Sequence, residues 1–149
     1  MLSSKGKYGI KALLHLAEHE GSGVMLIADI AAQNCIPKKF LDTILLELKN
    51  AGFLHSKKGR GGGYTLARPA ERILIGDVIR TLDGPLAPIP CASRSAYRRC
   101  DDCPDATSCR IRLLMVDVRD ALAKILDRTR LADLRSRGLP AEVALLYDI

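Results

Sequence analysis

Ile10, Leu13, Leu14 and Ala17 recur three and four residues apart, and the EGSG of residues 20–23 breaks the repeat. That spacing gathers the apolar side chains on one face of a helix that stops before the glycines. Ile27, Ile30 and Ala31 predict a short second helix over about residues 26–34. Pro37 favours a helix start, and Leu41, Ile44, Leu45 and Leu48 give the third helix an apolar face that ends at Gly52. The period then changes. Leu54–Lys57 and Tyr64–Ala67 read as short strands around a glycine-rich tip, with Pro69 closing the hairpin. Further on, Ile111, Leu114, Met115, Val118, Leu122 and Ile125 form a helical stripe, while Arg112, Asp117, Arg119, Asp120 and Lys124 keep the other faces polar. The pattern predicts a mainly α fold with a small β-hairpin wing: a winged helix-turn-helix followed by a long C-terminal helix. A lone amphipathic helix has to bury its stripe against its own domain or against a second copy.

Composition narrows this picture. Aromatic residues make up only 4% of the 149 residues and Trp is absent, so the core must be aliphatic. No apolar run approaches the roughly 20 residues that span a bilayer, and "MLSSKGKYGIKALLHL" carries no signal-peptide pattern, so a cytoplasmic protein with no membrane partner is expected. The net charge is +6, and its excess is N-terminal: residues 1–72 hold 11 Lys/Arg against 6 Asp/Glu, whereas residues 73–149 hold 12 against 11. A localised basic excess is what counterion-releasing contact with a polyanion requires.

The expected contact residues follow from the elements. On the third helix, Lys38, Lys39, Asp42 and Thr43 lie near the N-terminus and away from the apolar face, where a recognition helix meets base edges. In the hairpin, glycines at 59, 61, 62 and 63 are read as positions of positive φ that let the backbone approach a phosphate closely. Arg60 and Gly61 sit at the tip, where the arginine can enter a narrow minor groove, and Lys57 and Lys58 lie alongside the DNA backbone. A nucleotide-binding loop would open a helix after its glycines; here a strand follows.

Four of the five cysteines fall within "CASRSAYRRCDDCPDATSC", residues 91–109. In a reducing compartment such clustering points to a metal site or thiol redox chemistry rather than to structural disulfides. Cys91, Cys100, Cys103 and Cys109 suit either a four-thiolate zinc site or an iron-sulfur cluster. Asp101, Asp102 and Asp105 disfavour a bare reactive thiolate beside them. Cys35 stands apart and is expected to be a small buried residue. "HLAEH" at 15–19 matches a zinc-hydrolase pattern, with His15 and His19 one helical turn apart, but the match is short and no third ligand is evident; an enzyme is not expected.

Taken in order, "LSSKGKYGIKALLHLA", "IPKKFLDTILLELKNAGFLHSKKGRGGGYTLARP", "ILIGDVIRTLDGP" and the cysteine stretch leading into "CRIRLLMVDVRDALAKILDRTRLADL" resemble the IscR, NsrR and CymR type of winged helix-turn-helix regulator, the Rrf-two superfamily. The resemblance runs to about residue 134. It implies a homodimeric transcription regulator on double-stranded DNA with a pseudo-palindromic operator, and N-terminal phosphate contacts that map onto Ser3, Ser4, Lys5 and Tyr8. It also makes the Ile111-to-Ile125 stripe a dimer interface, and it divides the chain into a DNA-binding domain (1–83), a cysteine-rich sensor loop (84–109), a dimerisation helix with the segment after it (110–134) and a tail (135–149). Cluster-binding members use three cysteines, the last two commonly separated by five residues, which Cys91, Cys103 and Cys109 match. Cys100 is extra. The positions matching the family's non-cysteine ligand are Lys7 and Arg112, neither with a lone pair to donate at neutral pH, so Cys100 is a sensible fourth ligand. A structural zinc, a cluster-free thiol switch, and docking to a metabolic enzyme stay open beside the cluster.

Overall fold

A computed structural model describes residues 2–137 of the chain; all but the first three residues of the 135–149 tail lie outside them. The elements are α1 (Ser4–Glu18), α2 (Ile27–Asn34), α3 (Lys38–Asn50), β1 (Leu54–Lys57), β2 (Gly63–Leu66), α4 (Ile75–Asp83), α5 (Arg110–Leu126) and α6 (Leu131–Arg135). Short 3-10 turns occupy Ala70–Arg72 and Pro90–Ala92.

Helix α1 begins where the Ser3 hydroxyl accepts the Gly6 N–H at 3.0 Å, which satisfies one of the free donors of the first turn. The Ser3 N–H and hydroxyl also donate to the Asp83 carboxylate at the end of α4, so the cap doubles as a tie between helices. Gly6 and Gly9 make that approach possible: a Cβ on Gly6 would lie 2.6 Å from Asp83 Oδ2, and one on Gly9 would run into the Leu82 side chain. Helix α2 ends at Cys35, whose φ of 54° and ψ of 44° are left-handed, and the chain turns through Ile36 and Pro37 into α3. Cys35 is exposed, not buried as its residue type suggests, because a cap in that conformation sits at the surface of the turn.

The hairpin pairs Leu54 with Leu66 and Lys57 with Gly63. Its second strand starts at Gly63, one residue before the expected Tyr64. Met25 and Tyr64 exchange two backbone hydrogen bonds, of 3.0 and 2.9 Å, which dock the wing onto the loop before α2. The glycines of the tip divide their roles. Gly59, Gly61 and Gly63 have φ of 93°, 74° and 156°, whereas Gly62 does not have positive φ; it is glycine because a Cβ there would meet the Lys57 carbonyl.

The core is aliphatic. Leu13, Ile30, Leu41, Leu45, Leu48, Leu54, Ile73 and Val78 are fully buried, and so is Leu131, far along the chain on α6. After α5 the polypeptide therefore returns to the N-terminal core. Ile75 N–H bonds to Thr129 O at 2.9 Å and Leu131 N–H to Ile73 O at 2.8 Å. Arg135 then reaches Ala17 O (3.1 Å), Glu20 (3.0 Å) and Glu71 (3.1 Å), a cation placed on the carbonyl end of α1. Helix α5 differs from the others in having no buried residue.

Candidate nucleic-acid interface and cysteine loop

The inward stripe of α3 fixes the outward one: with Leu41, Ile44, Leu45 and Leu48 in the core, Lys38, Lys39, Asp42 and Thr43 are all exposed. The hairpin brings Lys57, Lys58, Arg60 and Gly61 to the surface as well. A groove of about 560 Å³ joins the two elements, lined by Lys38, Leu46 and Lys49 of α3, by Lys57, Lys58 and Tyr64 of the hairpin and by Leu26. The helix N-terminus and the wing thus share one basic face. Burial, and then the nearby Asp42 carboxylate, push the Tyr64 phenol above its ordinary pKa. Lys49 and Tyr64 were not among the expected contact residues, because the face they complete exists only once the hairpin, through β1, packs against α3.

The N-terminal candidates divide. Ser4 is exposed and Tyr8 packs partly against the core. Ser3 is engaged by Asp83, and Lys5 Nζ lies 2.8 Å from Glu47 Oε1 on α3, so these two are occupied within the molecule.

His15 is 4% exposed, its Nε2 has no hydrogen-bond partner among the described residues, and burial followed by the neighbouring His19 lowers its pKa. Its ring stacks on that of His19 with centroids 4.5 Å apart. A buried, neutral imidazole packed in the core is not a zinc ligand open to substrate, so HLAEH is a packing feature.

In the cysteine loop, the 3-10 turn buries Cys91 at 4% exposure. Cys100 Sγ donates to Cys91 Sγ across 3.7 Å. That bond, then burial and the adjacent Cys91, Asp102 and Cys103, hold the Cys100 thiol above its usual pKa. Cys109 is the N-cap of α5, its Sγ accepting the Arg112 N–H at 3.5 Å. Between the last two cysteines, Asp105 accepts from Thr107 N–H (3.0 Å), Thr107 Oγ1 (2.7 Å) and Ser108 Oγ (2.8 Å), bonds that lower its carboxyl pKa and fix the loop. All four cysteines line one cavity of about 350 Å³, together with Asp102 and Arg112. Among the described residues they do not converge into a preformed metal cage, yet the donor set of four thiols around one space suits a thiophilic metal or cluster. Arg112 does not fit as a ligand: its Nε is spent on Cys91 O at 2.9 Å, and its guanidinium lies 5.9 Å from the Tyr97 ring centre. Lys7 is exposed on α1.

A recognition helix, a basic wing on the same face and an appended amphipathic helix define a winged helix-turn-helix DNA-binding regulator. A family model described as Rrf2, iron-dependent transcriptional regulator, matches residues 2–137. The chain belongs to the Rrf2 family of DNA-binding transcription regulators, and it is a regulator rather than an enzyme. It is 42% identical over 151 residues to an rrf2-like HTH-type transcriptional regulator of Rhodobacter capsulatus, covering 99% of this chain and 100% of that one. Among solved structures it is similar to CymR, the global cysteine regulator of Bacillus subtilis, with 33% identity, a TM-score of 0.75 and coverage of 93% of this chain and 98% of that one. It is also similar to T. potens IscR, with 26% identity, a TM-score of 0.72 and coverage of 97% and 96%.

Proposed function

We propose that this regulator binds a pseudo-palindromic operator in double-stranded DNA as a homodimer, and that the state of Cys91, Cys100, Cys103 and Cys109 sets its affinity. Helix α3 enters the major groove through Lys38, Lys39, Asp42 and Thr43, while Arg60 and Gly61 meet the minor groove and Lys57 and Lys58 follow the phosphates. The second copy is argued from α5: Ile111, Leu114, Val118, Leu122 and Ile125 are exposed along one face and Met115 is half-buried, and a two-fold axis lets the same stripe cover itself.

The observation that carries the sensing role is the shared cavity of the four thiols, set against the N-terminus of α5. Cys91, Cys100, Cys103 and Cys109 would hold an iron-sulfur cluster, which supplies sensitivity to oxidants, nitric oxide or iron supply. These residues act on α5 directly, since Cys109 caps it and Cys91 O is bonded by Arg112 from its first turn. A change in the loop then alters how two readers are spaced, and half-site spacing governs operator affinity. The 3.7 Å contact between Cys100 and Cys91 supports a second reading, a metal-free thiol pair acting as the switch.

Anaerobic purification, a visible spectrum, and iron and sulfide analysis test the first reading alongside operator binding with and without the chromophore. Coloured protein whose DNA affinity changes when colour is lost is expected. Colourless protein carrying stoichiometric zinc would sink the cluster and leave the DNA binder standing.

A further inference from the structure

The reader half of the chain hides nearly all its large apolar side chains. Among the described residues through 83 the exposed ones are Leu2, Leu26, Phe40 and Leu46, and three of these four lie on the helix-turn-helix. Phe40 is the most open of them, at 62% exposure, and it sits on the first turn of α3 between exposed Lys39 and buried Leu41. Leu26 and Leu46 have a setting in the groove beside the wing, and Phe40 is not part of that lining. A phenyl ring left in water among lysines gains nothing for the fold, and the lysines beside it favour a polyanion over an apolar partner.

Position and chemistry together narrow what the ring meets. First-turn residues of a recognition helix reach base edges in the major groove. There, every base edge carries hydrogen-bonding groups, which a phenyl ring would desolvate without repaying, and thymine alone adds an apolar C5-methyl group beside its O4 acceptor. On the same flank, three and seven residues on, stand Thr43 and Glu47. The Glu47 carboxylate is paired with Lys5 at 2.8 Å, so the flank carries no free anion to repel the phosphates. We propose that Phe40 is a specificity-determining residue that reads the C5-methyl group of one thymine in each operator half-site. This rests on α3 being the helix that enters the major groove.

The test uses the full-length protein and a duplex it selects from a random-sequence pool. Each thymine of that duplex is replaced singly by deoxyuracil, which removes only the methyl group, and competition binding is measured for the wild type and for Phe40→Ala. One thymine per half-site is expected to matter: its replacement weakens wild-type binding about fourfold, the worth of one buried methyl group. Phe40→Ala binds more weakly to the parent duplex, loses discrimination at that thymine alone, and keeps the wild-type salt dependence because no phosphate contact is removed. Phe40→Leu retains part of the discrimination. A Phe40→Ala protein with the wild-type thymine-to-uracil profile overturns the inference while the DNA reading survives. A wild-type protein that selects no duplex overturns the DNA reading, and the inference with it.

Discussion

Raising salt is the perturbation that counts phosphate contacts directly. Each protomer presents Lys38, Lys39, Lys57, Lys58 and Arg60 on the α3–wing face, all exposed and none in an ion pair among the described residues. Lys5 is left out because Glu47 already neutralises it. In a dimer those five cations become about ten, which predicts a slope of log affinity against log salt of roughly −9. Going from 50 to 200 mM salt should then cost about 10⁵-fold in affinity. Arg60→Ala removes one cation per protomer and should flatten the slope by about 1.8, while Lys5→Ala should leave it nearly unchanged. Fluorescence anisotropy of a labelled operator duplex across a salt series measures all three. A wild-type slope shallower than about −4, or a Lys5→Ala effect as large as that of Arg60→Ala, refutes the assignment of the docking face.

The other predictions use single features of the fold. Gly61 has φ of 74° and open space around it, so Gly61→Ala should cost about 1 kcal/mol of left-handed strain and leave the tip in place, whereas Gly62→Ala drives a methyl group into the Lys57 carbonyl and should weaken operator binding roughly tenfold, as read by the same anisotropy assay. Leu114→Glu combined with Val118→Glu puts charge on the exposed α5 stripe and should yield monomers in sedimentation velocity without lowering helix content; a persistent dimer removes α5 from the interface. His15 has a folded-state pKa below 6.5, so the unfolded chain binds the extra proton: stability is full above about pH 6.5 and falls as pH drops from there through the lowered folded value. Thermal melts from pH 5 to 7.5 should show this slope, and His15→Leu should flatten it.

Much of the reader was legible because its elements are punctuated. Helix α3 carries three inward leucines and one isoleucine at a 3.6-residue period between Pro37 and Gly52, and β1 occupies the expected Leu54–Lys57. Other features needed tertiary structure. Helix α6 has five residues, too few for a period, and matters because Leu131 fits a core built by α1 and by Ile73, more than fifty residues upstream. The roles of Ser3 and Lys5 were hidden likewise, since their partners Asp83 and Glu47 come near only after α4 and α3 pack on α1. Cys35 was misjudged by residue type; its place at a helix end, where glycine or asparagine is usual, was the signal for an exposed left-handed cap. The α5 stripe was visible, but periodicity says only that a face is apolar, and the structure adds that the chain's own domain leaves that face exposed.

Helix α5 is bonded to the cysteine loop on one side and to the N-terminal domain on the other, which gives the proposed sensor a physical connection to the reader. Toward the N-terminal end, from the first turn to mid-helix, Arg112 Nε and Arg119 Nη1 hold the carbonyls of Cys91 (2.9 Å) and Ala92 (2.7 Å), so the helix grips the main chain of the turn that carries the first cysteine. Arg119 is 13% exposed, and a guanidinium that shielded is not readily replaced by water. At the other end, Asp127 accepts two bonds from Arg80 of α4, at 2.7 and 2.8 Å, which depress its carboxyl pKa; just beyond, residues 129–131 pair with residues 73–75. Seventeen residues of helix span about 25 Å and transmit displacement as a rigid rod. Movement of the 90–92 turn would therefore be taken up at one of two places: in the dimer contact proposed along the exposed stripe, or at the Arg80–Asp127 junction that carries α4 and, through Asp83 and Ser3, the start of α1. In the proposed dimer both would alter the relative placement of the two readers, to which an operator with fixed half-site spacing is sensitive.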